Sequence, residues 1–291
     1  MGIEAGARCL VGLLSLSLGA CAAVDDQSSD DFDTEFRNAG SDGLSITTRP
    51  GRPGGGAGQG DGDGGGGGGG WIANGLHNVN VSGVNTNYGL STPEGMAEDG
   101  DLLALEDLRG TAEYLVECAL PEGQSVTKVV GDEVLVFDGL LGLAPQWQDG
   151  ACDEDCQQWV SACLLARTNT AGHEVDIWIS ADHPSIGTGV SSDFPFYEAT
   201  FYGNLFADGN SQYQCRGTSL GVFVAFMNGR TCSGPGAQGC GITSFGRCGA
   251  EDRCVVDYQW PWSFHVDCAA GSPPTGDRYH SISTFVGLPE D

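Results

Sequence analysis

The chain has 291 residues, a formal net charge of −27, 12 cysteines and 48 glycines. From Trp71 onward 29 acidic side chains face 8 basic ones, a balance of −21. A surface this acidic repels phosphate backbones and excludes nucleic-acid binding, and the 221 residues of that stretch suit one domain or two small ones.

The N-terminus opens with Arg8 and the α-amine, partly offset by Glu4, followed by the uncharged run Cys9–Ala20. Twelve residues match the apolar core of a signal peptide and fall short of the ~20 needed to span a bilayer. The run ends Leu18-Gly19-Ala20-Cys21. Small residues before a cysteine resemble the lipobox of bacterial lipoproteins. The resemblance implies cleavage after residue 20 and acylation of Cys21 with palmitate-type chains. It thus implies anchoring in the cell envelope, and Ala22 in place of Asp points to the outer membrane. Each buried CH₂ contributes about 0.8 kcal/mol, so two or three chains anchor stably where one is marginal.

Residues 21–70 form the expected tether. Asp25 to Asp42 is acidic and Ser-rich, and Gly51 to Gly70 is glycine at 14 of 20 positions. Such a segment buries too little apolar surface to offset backbone entropy and reads as disordered from Ala22 to Gly70. As a coil of its length it spans roughly 40 Å. The run Gly60-Asp61-Gly62-Asp63-Gly64 lacks the period of glycine/aspartate calcium repeats and reads as linker.

Residues 71–291 read as a single disulfide-rich α+β domain of antiparallel strands with two or three helices. Thr92-Pro93 reads as an N-cap and first helical residue, and Leu102 to Ala119 follows with helical spacing, divided at Gly110 and ended by Pro121 and Gly123. Gln124–Val130 and Glu133–Phe137 read as a hairpin across Gly131-Asp132. Cys152, Cys156, Trp159, Val160, Cys163 and Leu164 share one face of a helix. Asp153, Glu154 and Asp155 suit its N-terminal end and Arg167 its C-terminal end. On that reading Cys152 and Cys156 are poorly placed to bond each other, and the helix is stapled to other segments. Val175–Ser180 alternates as a half-buried strand, and Ala199–Phe206, Val222–Met227 and Val255–Val266 read as further strands. Thr231–Cys254 is dense in glycine and cysteine and needs cross-links to pack. Three segments, Gly142–Trp147, Trp159–Asn169 and Phe201–Phe206, are similar to uncharacterised cysteine-rich exported proteins of large-genome Gram-negative bacteria. That resemblance implies no activity.

Ten cysteines fall in this domain: Cys118, Cys152, Cys156, Cys163, Cys215, Cys232, Cys240, Cys248, Cys254 and Cys268. The number is even, no CxxC occurs, and an exported domain is oxidised, so disulfides are expected rather than zinc. The spacing leaves the pairing open.

For catalysis, Gly217-Thr218-Ser219-Leu220-Gly221 matches the G-x-S-x-G nucleophile elbow, with Asp257 or Asp267 and then His280 in the order of a serine hydrolase. Against it, the elbow needs a helix after the serine, and Val222–Met227 reads as β, so a glycine turn is the expectation. His173-Glu174 lacks the second histidine of a zincin, His183 reads as a loop residue, and Asp99-Gly100-Asp101 lacks the rest of an EF-hand. Asp149, Asp153, Glu154 and Asp155 offer oxygens to Ca²⁺, but a capping role explains them as well. No other cofactor is expected. Tyr258, Trp260, Trp262 and Phe264 would share one face of a strand interrupted by Pro261. They read either as core or as an exposed row for a glycan or protein ligand. The leading expectation is a lipid-anchored binding or adhesion module. A secreted hydrolase and a structural envelope protein are the alternatives.

Overall fold

The computed structural model describes residues 44–46, 75–76, 79–171, 174–189, 191–259 and 262–289, with backbone alone for 44–46, 257–259 and 262–264. Its centre is a six-stranded sheet built from β1 (Leu44–Ile46), β4 (Ile177–Ser180), β5 (Phe196–Asn204), β6 (Ser211–Arg216), β7 (Thr243–Arg247) and β11 (Ser281–Val286). The spatial order is β1-β4-β11-β5-β6-β7. All neighbours are antiparallel except β6 and β7.

Pleat alternation divides the sheet into two apolar faces. Ile177, Ile179, Ala199, Phe201, Ile282 and Val286 face a large core shared with helices α2 (Arg109–Ala119), α3 (Glu154–Ala166) and α4 (Ser219–Met227). On the other face Trp178 and Phe285 form one small cluster, and Tyr202 joins four cysteines in another. This second face lies under a three-stranded sheet of β8 (Cys254–Gln259), β9 (Trp262–Ala269) and β10 (Arg278–Tyr279). On β4 the second face is covered by the segment after it, where Trp178 donates to Gly189 O and packs against Phe194. All four β4 residues are buried, where the alternating pattern had led us to expect a half-buried strand.

Before α2 come the one-turn α1 (Asp101–Ala104) and a 3-10 turn at Glu106–Leu108. The expected helix start at Thr92-Pro93 is instead a turn. Thr92 Oγ1 accepts from Gly95 N at 3.1 Å, and the chain extends into a bridge between Met96 and Val84. The helical break falls at Leu105 and not at Gly110, which lies in the first turn of α2. Strands β2 (Ser125–Val130) and β3 (Glu133–Asp138) form the expected hairpin, with Gly131 at φ +63° as the first residue of its two-residue loop.

Helix α3 starts two residues later than its pattern indicated. Asp153 is the N-cap and its carboxylate accepts from Cys156 N at 3.1 Å. Cys152 is thus extended chain outside the helix, and it bonds Cys156 across 5.3 Å between Cα atoms. The expectation that this pair could not join is overturned. Cys163 does staple the helix elsewhere, to Cys118 of α2. Every residue from Gln158 to Ala166 is buried, so α3 is a central helix rather than a one-faced one. The other bridges are Cys215–Cys248, Cys232–Cys240 and Cys254–Cys268.

Two further expectations change. Leu44–Ile46, inside the segment read as unable to fold, pairs as an edge strand with Ile177–Ile179. A three-residue strand draws on main-chain ladder bonds and needs little apolar surface of its own. Val222–Met227 is helical. Thr218 caps α4 by accepting from Gly221 N at 2.9 Å, and the β-branched valines that suggested a strand are overridden by tertiary packing.

A buried ion pair ties these elements together. A bulge between Thr284 and Phe285 of β11 leaves Glu198 as the extra residue of β5. Its carboxylate meets Arg230 at 2.9 and 3.2 Å and Thr284 Oγ1 at 2.8 Å. The same guanidinium donates to the carbonyls of Ala166 and Thr168 at the end of α3. Both charges are fully buried and matched, and the guanidinium takes up carbonyls that the helix end leaves open.

Candidate functional site

The segment containing Ser219 is strand, turn and helix: β6, Gly217-Thr218, then α4. That is the local context an elbow requires, but the strain is missing. Neither Thr218 nor Ser219 is among the residues with positive φ. Ser219 is exposed, and its hydroxyl accepts from Arg247 Nη2 at 3.1 Å. The glycines of the motif have a different task. A Cβ on Gly221 would sit 1.7 Å from the carbonyl oxygen of Tyr197, and one on Gly217 2.4 Å from it. They let α4 lie directly on the backbone of β5.

His280 is at the other end of β5. Thr218 N donates to Tyr197 O, whereas Ser281 pairs with Tyr202. The intervening strand separates serine and histidine by about 16 Å at ~3.3 Å per residue. His280 instead joins a surface cluster at the start of α3. Its Nε2 lies 2.7 Å from Asp155 Oδ1 and its Nδ1 3.3 Å from Asp267 Oδ1. Its ring stacks on Trp159 at 4.5 Å, and His183 lies edge-on to Trp159 at 4.9 Å. Burial lowers the His183 pKa, with Asp155 opposing. The structure thus brings His280 together with Asp267 and Asp155, and keeps Ser219 apart from them. Asp257 lies opposite Phe264 in the β8–β9 register, and its side chain is outside the described residues.

The aromatic row does not form along one strand. The expected strand Val255–Val266 is a hairpin, with Gln259 opposite Trp262 and Tyr258 opposite Ser263. Trp260 and the side chains of Tyr258, Trp262 and Phe264 lie outside the described residues, as do Cys21 and His173. Asp153 spends its carboxylate on capping, and Asp149 accepts from Ser91 Oγ at 2.7 Å. Cys215, Cys248 and Cys254 cluster closely enough to hold a metal. All three are in disulfides, however, and present no thiolate ligand.

One surface feature was not foreseen. Leu220, Phe223, Phe226 and Met227 of α4 are 46, 57, 74 and 54% exposed. At 100° per residue they occupy about a third of the helix circumference, opposite the buried Gly221, Val224 and Ala225. Leu288 is also exposed and follows Gly287, whose carbonyl accepts from Asn228 at the end of α4. At the start of α4 stand two exposed arginines, Arg216 and Arg247, which are register partners on β6 and β7. An uncharged run of this kind reads as buried in sequence, so only the packing reveals it. Contiguous apolar surface of this sort marks a contact surface more often than chance.

No family model, curated protein or solved structure matches the chain. Gly142–Trp147, Trp159–Asn169 and Phe201–Phe206 meet inside the core. Trp147 packs edge-on against Phe206 at 5.3 Å, and Leu205 N donates to Ser161 Oγ at 2.9 Å.

Proposed function

We propose that this chain is a lipid-anchored protein of the bacterial cell envelope, displayed at the outer membrane on an acidic, glycine-rich tether, whose disulfide-braced head binds a protein or glycan ligand. The observation that carries the binding role is the exposed apolar ridge of α4, flanked by two arginines on an otherwise acidic domain. The lipobox at Cys21 supports the anchor, and five disulfides suit an oxidising compartment. A convex aliphatic and aromatic ridge fits a protein groove better than a sugar ring.

The anchor is tested by mass spectrometry of the mature N-terminus and by fractionation. Diacylglyceryl-modified Cys21 is expected, with the Cys21→Ala protein leaving the membrane fraction. Retention of that variant in membranes would falsify the anchor. Binding is tested in cells lacking the protein, scored for attachment to surfaces and to one another. Restoration by the wild-type chain but not by Phe223→Asp/Phe226→Asp is expected. Equal restoration by both would remove the ridge from the function.

A further inference from the structure

We infer that the α4 ridge docks onto the same ridge of a second copy of this chain, the two helices lying antiparallel about a two-fold axis. This deepens the reading of α4 as the head's contact surface and rests on it.

The ridge is complementary to itself. Its N-terminal end carries Arg216 and Arg247, both exposed. Arg216 has no acidic partner among the described residues. Its C-terminal end carries the exposed Asp193. The backbone of Asp193 abuts Gly287, since a Cβ on Gly287 would lie 2.6 Å from Asp193 O, and Gly287 O in turn accepts from Asn228, the C-cap of α4. Basic and acidic side chains thus stand at opposite ends of one apolar stripe. Turning a second copy by 180° lays stripe on stripe and puts each arginine pair at the acidic end of its partner. The helix dipoles oppose as well, each positive N-terminus meeting a negative C-terminus. A two-fold contact has this form, with residue i meeting j and j meeting i. Phe223 is the middle residue of Ser219–Met227, so it falls on the axis and Leu220 faces Phe226 of the other copy.

Other occupants fit less well. The balance of −21 from Trp71 onward opposes an anionic bilayer, and an acidic partner would answer the arginines but not Asp193. The same charge opposes two heads from meeting. The Debye length of ~8 Å at physiological ionic strength limits that repulsion, and added salt should strengthen the contact. The ridge is smaller than the ~800 Å² per partner of stable complexes. Self-association is therefore expected at about 10 µM to 1 mM in solution, within reach of molecules concentrated on one surface.

The test is sedimentation equilibrium of the full chain carrying Cys21→Ala, at low and high salt. A monomer–dimer equilibrium strengthened by salt is expected. Phe226→Asp should weaken it about thirtyfold or more, as for an aromatic buried in an interface. Arg216→Glu should weaken it, and adding Asp193→Arg should restore it, a rescue that a folding defect cannot produce. A strictly monomeric chain at millimolar concentration overturns the proposal, as does a dimer indifferent to Phe226→Asp. Vesicles of phosphatidylcholine and phosphatidylglycerol serve as the second arm. Phe226-dependent vesicle binding by a monomeric chain rejects the second copy yet keeps α4 as a contact surface. A monomer that ignores vesicles, combined with normal attachment of the Phe223→Asp/Phe226→Asp cells, rejects the contact surface itself.

Discussion

Glu198 and Arg230 show what a single pair can hold together in this fold. The carboxylate stands on a bulge of β5, and the guanidinium reaches it from the chain beyond α4 while closing the end of α3. Removing one partner strands the other without water. Arg230→Met is therefore expected to lower unfolding free energy by about 3–5 kcal/mol in urea titrations, and the double variant Glu198→Leu/Arg230→Met should lose less than the sum of the two singles. His265 gives a pH signature. It is stacked on Tyr197 at 5.4 Å, its Nδ1 is buried without a hydrogen-bond partner, and burial lowers its pKa. The His183 pKa is lowered by burial too. A histidine kept neutral when folded binds a proton more readily when unfolded. Stability is then fully present above the ordinary histidine pKa of about 6.5 and is lost as pH falls below it. Melting temperature should drop as pH falls below about 6.5, and His265→Gln should flatten that drop. Ser219 carries the opposite kind of expectation. With His280 engaged by Asp155 and Asp267, a fluorophosphonate probe should leave Ser219 unlabelled. Stoichiometric labelling would revive the hydrolase.

Among the elements, the disulfides differ in what they constrain. Cys118–Cys163 closes 45 residues and joins α2 to α3, while Cys152–Cys156 closes 4. Chain-entropy arguments give about 4 and about 2 kcal/mol respectively. Paired alanine replacements compared by chemical denaturation should preserve that order. Gly221→Ala should cost more than its small volume suggests, because the added carbon meets the Tyr197 carbonyl and not a flexible side chain. A melting temperature equal to wild type would mean that α4 can lift away freely from β5.

Seen whole, the chain was legible where local signals and tertiary environment agree. The α2 helix, the β2–β3 hairpin and the α+β class follow from periodicity and from Gly131. Disagreement has particular causes. Val222 and Val224 carry strand propensity into a helix that two glycines seat on β5. Cys152 continues a helical spacing that Asp153 interrupts by capping. Leu44–Ile46 is too short for any pattern to single out. The candidate site was hidden for a related reason. Leu220, Phe223, Phe226 and Met227 look like core until the sheet shows that only the opposite side of their helix is covered. The catalytic order Ser219, Asp257, His280 was legible as a motif, but sequence order says nothing of the strand that keeps the serine and histidine apart.

Lys128, the chain's one lysine, is 1% exposed and donates from Nζ to Thr92 O at 2.6 Å, with burial lowering its pKa. The folded head therefore offers no side-chain amine to solvent. If Cys21 is acylated on its nitrogen, the mature protein also has no free α-amine. Amine-reactive biotin or dye, applied to intact cells, would pass this protein over even where it is abundant at the surface. Carboxylate-directed labels, or an added protease followed by antibody, are the reagents that would reveal it.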